Sequence, residues 1–101
     1  MRKTVHSLKS WPRFFEAIVR GERVHELRRN DRGFAVGDLC ELREYDPANN
    51  RFSGHVITVE VTSITSAEVP CAVSSEALHP DFCILSIKLR PDIGASFTEI
   101  E

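Results

Sequence analysis

The connections between its alternating segments constrain this chain most. Gly37-Asp38 stands directly before the alternating run Leu39 to Tyr45, and Asp46-Pro47-Ala48-Asn49-Asn50 follows directly after it. A parallel pair of strands needs a crossover of about a dozen residues or more. Runs joined by turns this short must pair antiparallel. The alternation predicts strands at Thr4 to Lys9, Val24 to Arg28, Leu39 to Tyr45, His55 to Thr65 and Phe82 to Arg90. In the longest, Ile57, Val59 and Val61 share one face, against Thr58, Glu60 and Thr62 on the other. In the last, Cys83, Leu85, Ile87 and Leu89 form the core face.

One stretch breaks the period of two. Trp11, Phe14, Phe15, Ile18 and Val19 recur at three-to-four spacing, the stripe of an amphipathic helix. Ser10 is placed to cap it, Pro12 suits its first turn, and Gly21 is placed to end it in a left-handed conformation. Ser66 to Asp81 reads as a long irregular connection with one helical turn near Ser75 to Leu78. The expected fold class is α+β: a small curled barrel of five to six mostly antiparallel strands, with one main N-terminal helix against an opening. The 101 residues fit a single domain. We place it at residues 1–90, with a flexible tail at 91–101.

Several function classes fall away. The longest apolar runs are three or four residues, against the ~20 that a membrane-spanning helix needs. The opening MRKTVHSLKS carries charge but no apolar signal-peptide core. The three cysteines include no Cys-x-x-Cys, so neither a redox motif nor a zinc ribbon is indicated. Cys71, His79 and Cys83 would supply three zinc ligands, in a spacing that fits no standard site. We expect no metal, no cofactor, no membrane partner, reduced thiols and a cytoplasmic location. The 13 Lys+Arg against 15 Asp+Glu leave a net charge of −2. Residues 1–32 hold nine bases and four acids, hence +5, and the remainder is −7. A chain balanced in this way does not coat polyanions wholesale. It has room for one local basic site.

That site is expected between Gly21 and Arg32. By period two, Val24, Glu26 and Arg28 share a face and His25 and Leu27 the other. Lys9 lies beside them if the first two strands adjoin. A carboxylate among cations beside a helix offers both an acceptor and anion-binding donors. Arginine presents a fork suited to phosphate, and glutamate accepts from a base amino group or a ribose hydroxyl. Arg32 extends the basic cluster. Tyr45, at a strand end beside a loop, is placed to stack a base. The candidate ligand-binding set is therefore Lys9, Arg23, Glu26, Arg28, Arg32 and Tyr45. Cations so close should lower the carboxyl pKa of Glu26. The plainer alternative is a Glu26–Arg28 ion pair on a solvated strand face, worth little in stability. Likewise Trp11 can be a lid packed over the helix start, and Asp38 a structural turn residue.

A family resemblance adds to this. The order His6-Ser7-Leu8-Lys9, Trp11-Pro12, Phe14-Phe15-Glu16-Ala17-Ile18, Gly21-x-Arg23-x-x-Glu26-Leu27-Arg28, Asn30-Asp31-Arg32, Phe34-x-Val36-Gly37-Asp38 and Leu42-x-Glu44-Tyr45 resembles the ASCH group of the PUA-like superfamily. The likeness is greatest to its small stand-alone bacterial and phage domains, and it loosens toward Thr65. It implies a PUA-like β-barrel with a cleft facing the helix, Lys9, Glu26 and Arg28 on cleft positions, and RNA or a nucleotide as partner. Some ASCH proteins resemble amidohydrolases of acylated cytidine that use a Lys, a Thr and a Glu. Here Arg23 and Val24 stand at the Lys and Thr positions. Arginine does not deprotonate and valine has no hydroxyl, so only Glu26 remains as a catalytic candidate. The expected function is an RNA- or nucleotide-binding module using the barrel–helix cleft. The alternatives are an amidohydrolase-like enzyme on a modified nucleoside, and a protein-interaction or regulatory module that uses the acidic strands and the tail.

Overall fold

The alternating segments assemble into one sheet. The computed structural model describes residues 4–93. Along the chain run β1 (Val5–Ser10), α1 (Pro12–Val19), β2 (His25–Arg29), β3 (Leu39–Asp46), β4 (Arg51–Ser66), α2 (Ser74–Ala77) and β5 (Phe82–Leu89). In space the order is β1-β3-β4-β5-β2. Three of the four pairings are antiparallel; the short turn accounts for β3 with β4, whereas β4 meets β5 across a long connection and β2 meets β5 from far along the chain. The fourth, β1 with β3, is parallel, with Val5 opposite Leu39 and Leu8 opposite Leu42. The chain reaches β3 from β1 by way of α1 and β2, a connection long enough for a parallel return.

The sheet curls into a half-barrel around an apolar interior. Leu8, Leu42, Val59, Val61 and Leu85 are at most 2% exposed, and α1 adds Phe15 and Ile18. Cys83, Leu85 and Ile87 are buried and Leu89 packs against them, as the period-two pattern of β5 predicts. The long β4 pairs with β3 and then with β5, with a shift of register between Val61 and Ser63. Such bulges bend a strand. β4 starts at Arg51 rather than His55 because the preceding turn is tight. Asn50 takes a φ of 51°, Asp46 Oδ1 accepts from the Ala48 N–H at 2.9 Å, and pairing runs up to Asp46 opposite Arg51.

Two local expectations diverge. Gly21 ends the helical segment at φ 78°, and Gly21 and Glu22 return backbone hydrogen bonds to Ile18 and Ala17. Ser10, by contrast, does not cap α1. It is the last residue of β1, opposite Glu44, with its side chain turned inward, and Trp11 takes the cap position without a side-chain hydrogen bond. Gly37 (φ 97°) allows the tight turn before β3. Asp38 behind it is structural: its Oδ2 accepts from His6 Nε2 at 2.9 Å and from the Ala35 N–H at 3.0 Å.

The half-barrel has two edge strands, β1 and β2, and among the described residues no backbone ladder joins them. Two arginines bridge the gap instead. Arg28 Nη1 donates to the Lys9 carbonyl at 3.1 Å, and Arg32 Nη1 to the Ser7 carbonyl at 3.1 Å. At the C-terminal end, Arg90 pairs with Glu60 and Asp92. The expected tail lies mostly outside the described residues. Among them, no helix is long and apolar enough to cross a membrane.

Candidate functional site: the cleft between β1, α1 and β2

β2 is inverted relative to its hydropathy. Glu26 is 4% exposed and Leu27 57% exposed. The register sets Glu26 opposite Leu85, inside the half-barrel, and Leu27 opposite Ile84 on its outer side. Backbone contacts at both ends hold this register: Ile87 N–H to Val24 O at 3.0 Å, and Asn30 N–H to Asp81 O at 2.7 Å. A slip of one residue would bury Leu27 and gain about 2 kcal/mol of apolar burial. The fold keeps a carboxylate there instead. The solvated ion pair considered from the sequence is therefore not what forms.

Two guanidinium groups bracket that carboxylate. Arg28 Nη1 donates to Glu26 Oε2 at 3.2 Å. Arg23 Nε lies 3.7 Å from Oε1, an ion pair longer than a hydrogen bond. Arg23 is held in place from above, its guanidinium carbon 4.3 Å from the Phe14 ring centroid. The Trp11 ring lies 6.4 Å from that of Phe14, tilted by 21°, and is 55% exposed. Trp11 thus stands at an open rim rather than sealing the helix start.

Between these groups is a cavity of about 300 Å³, lined by Lys9, Ser10, Trp11, Phe14, Arg23, Glu26, Leu27 and Arg28. Two buried polar atoms on its wall, Ser10 Oγ and Arg23 Nε, make no hydrogen bond among the described residues. Buried polar groups are ordinarily satisfied. The residues lining the cleft thus include a hydroxyl and an N–H without hydrogen-bond partners among the described residues, close behind its surface, beside a buried carboxylate.

Burial pushes the Glu26 carboxyl above its ordinary value, and the charges of Arg28 and Arg23 offset this only in part. The sequence pointed the other way, because it shows the cations and not the depth at which the strand holds the acid. Burial also pushes the Cys40 thiol in the same interior up to about 12, with the Glu26 charge adding to it.

The six expected ligand residues divide into two groups. Arg23, Glu26 and Arg28 converge in the cleft. Lys9 lines it, and its carbonyl is bound by Arg28, but its ammonium lies 4.3 Å from the centroid of the Tyr45 ring on the outer side of the sheet. Tyr45 is outside the cleft, with its hydroxyl donating to Asn50 Oδ1 at 2.9 Å. Arg32 is at the seam with Ser7. Ser10, Phe14 and Leu27 line the cleft without belonging to the expected set. Extending the alternation of His6 and Leu8 by two residues would have placed Ser10 inside. Cys83 lies in the core and Cys71 is exposed. Among the described residues, no group of three potential ligands could hold a metal ion.

Comparison with known proteins adds a family and a phage relative. The family described as "Domain of unknown function (DUF3850)" matches residues 5–87. An uncharacterised 12.9 kDa protein in the GpA 3′ region of Escherichia phage P2 is 26% identical over 65 residues. That match covers 64% of this chain and 58% of the phage protein, so the chain spans somewhat over half of the relative's length.

Proposed function

This chain belongs to the DUF3850 family, and on that premise we propose that it is an RNA- or nucleotide-binding module working through the cleft between β1, α1 and β2. One observation carries this: Glu26 is buried at the cleft floor between Arg23 and Arg28 while Leu27, next to it, is turned outward. Natural sequences depart from local preference mostly where function requires it. A nucleobase matches what the cleft offers. Its amino or imino hydrogens suit Glu26, its ring acceptors suit Arg23 and Ser10, and its face suits Trp11 above Phe14. Phosphate suits Arg28 at the cleft margin.

We also propose that the half-barrel is of the PUA-like kind and the domain of the ASCH group. Support comes from the resemblance between His6 and Tyr45 and from a cleft that faces α1, as the resemblance implies. The three free thiols suit a reducing compartment, and we place the protein in the cytoplasm.

Trp11 is the protein's single tryptophan, so its fluorescence tests the proposal directly. Titration with nucleotides and short RNA at low salt should quench it saturably, and Glu26→Ala should abolish the response. Absence of any change in emission or binding across nucleotides, tRNA and single strands would end this reading.

One observation favours the enzyme reading as a second possibility. An acid with a raised pKa is what proton transfer near neutrality needs, and Glu26 has one. Turnover of acylated cytidine that disappears in Glu26→Gln would establish it. Inactivity over a panel of acylated nucleosides would dismiss it.

A further inference from the structure

We infer that the ligand is a single-stranded polynucleotide, running from the cleft across Lys9 onto a second, outer site built by Tyr45 and Phe52. This rests on the cleft being a nucleotide site and deepens it.

Lys9 belongs to both places. Its residue lines the cleft, while its side chain leaves the other face of β1 and sets Nζ 4.3 Å from the Tyr45 ring centroid and 5.9 Å from that of Phe52. The hairpin of β3 and β4 pairs Tyr45 with Phe52, and their rings meet edge to face at 4.9 Å. Arg43 lies over Phe52 at 4.0 Å from the centroid. The result is a layered outer surface of cation, ring, ring and cation, which Lys9 joins to the cleft.

Two features make this surface a path for a strand. Lys9 is fixed by rings and not by a carboxylate; among the described residues it forms no ion pair. A cation–π contact orients an ammonium without neutralising it, so its charge stays available to phosphate. A mononucleotide in the cleft ends at its own phosphate. A longer strand brings a second phosphate to Lys9 and a second base to the rings, the arrangement by which single strands are held on charged grooves with aromatic platforms. A duplex is disfavoured by the size of the cleft: at about 300 Å³, with Glu26 only 4% exposed, it admits a base swung out of a stack and not a base pair.

The test is a length series. Trp11 quenching would give affinities for mono-, di- and tetranucleotides as ribo- and deoxyribo-oligomers of one sequence, with a duplex as comparison. The tetranucleotide should bind about tenfold or more tightly than the mononucleotide, in one or both sugar series. That ratio should fall toward one in Tyr45→Leu and again in Phe52→Leu. Equal wild-type affinities for mononucleotide and tetranucleotide would overturn the strand path while leaving the cleft a nucleotide site. So would a length gain that survives both ring substitutions, or tighter binding of the duplex. Silence of Trp11 toward every ligand would overturn the cleft site as well.

Discussion

The Nη1 nitrogen of Arg28 lies 3.1 Å from the carbonyl oxygen of Lys9, and this contact joins two strands that share no ladder. The same nitrogen donates to Glu26 Oε2 at 3.2 Å. One guanidinium therefore both closes the seam and counters the buried acid. Replacing it should cost more than a surface ion pair would. Arg28→Met should destabilise the fold by about 2–4 kcal/mol, because a buried carboxylate loses its nearest cation. Urea denaturation of the single variant and of Arg28→Met/Glu26→Gln would check this, with the second change recovering a substantial part of the loss. Equal, additive losses would mean the two groups do not interact.

The raised pKa of Glu26 has a direction that can be measured. The folded protein holds that proton to higher pH than the unfolded chain, whose carboxyl titrates near 4.5. Stability from this source is complete below the unfolded value and is lost as pH rises through the folded one. Asp38 acts oppositely. Burial alone would raise its carboxyl, but the hydrogen bonds from His6 and Ala35 outweigh that and hold it low, so its contribution is lost as pH falls. Unfolding followed from pH 4 to pH 8 should show Glu26→Gln gaining on the wild type as pH rises. A difference independent of pH, or one of opposite sign, would refute the shift.

The outward placement of Leu27 makes a simple mutational prediction. Leu27→Lys should change stability by no more than about 0.5 kcal/mol, as for other exposed positions. Leu85→Ala, opposite Glu26 in the core, should cost about 2–5 kcal/mol. Thermal unfolding of both would show whether β2 sits in the register described. A severe loss in Leu27→Lys would place that side chain inside.

The three thiols should differ in reactivity. Cys71 is exposed, and hydrogen bonds from the Val73 backbone and the Ser74 side chain lower its pKa. Burial raises Cys40 to about 12 and also raises Cys83. Thiolate is the reacting form. A disulfide reagent at pH 8 should label one thiol in the folded protein and three after denaturation, and Cys71→Ser should remove the fast one. Fast labelling of more than one thiol would contradict the burial.

Much of the fold can be read from local pattern. The strands β1, β2, β3 and β5 and the helix fall within a residue or two of their expected bounds, because period, turn residues and Gly21 all act over a few positions. The parallel β1–β3 pair could not be read this way; strand partners separated by a helix and another strand carry no local signal. Within the cleft, the shared face of Glu26 and Arg28 followed from period two. Which side of β2 faces inward did not, since hydropathy favours burying Leu27. The destination of the Lys9 side chain depended on a register between strands far apart in the chain. Ser10 was assigned to the helix cap because serine has that preference, whereas pairing with Glu44 claimed it for β1 first.

An edge strand is a template for adding another chain, since its outward carbonyls and amides await a partner. In β1, two of those carbonyls, Ser7 and Lys9, are already taken by Arg32 and Arg28. Intermolecular strand addition at β1 would have to displace both guanidiniums. The arginines beside the cleft thus also guard the protein against self-association, and a variant that loses them exposes an aggregation-prone edge as well as an altered site.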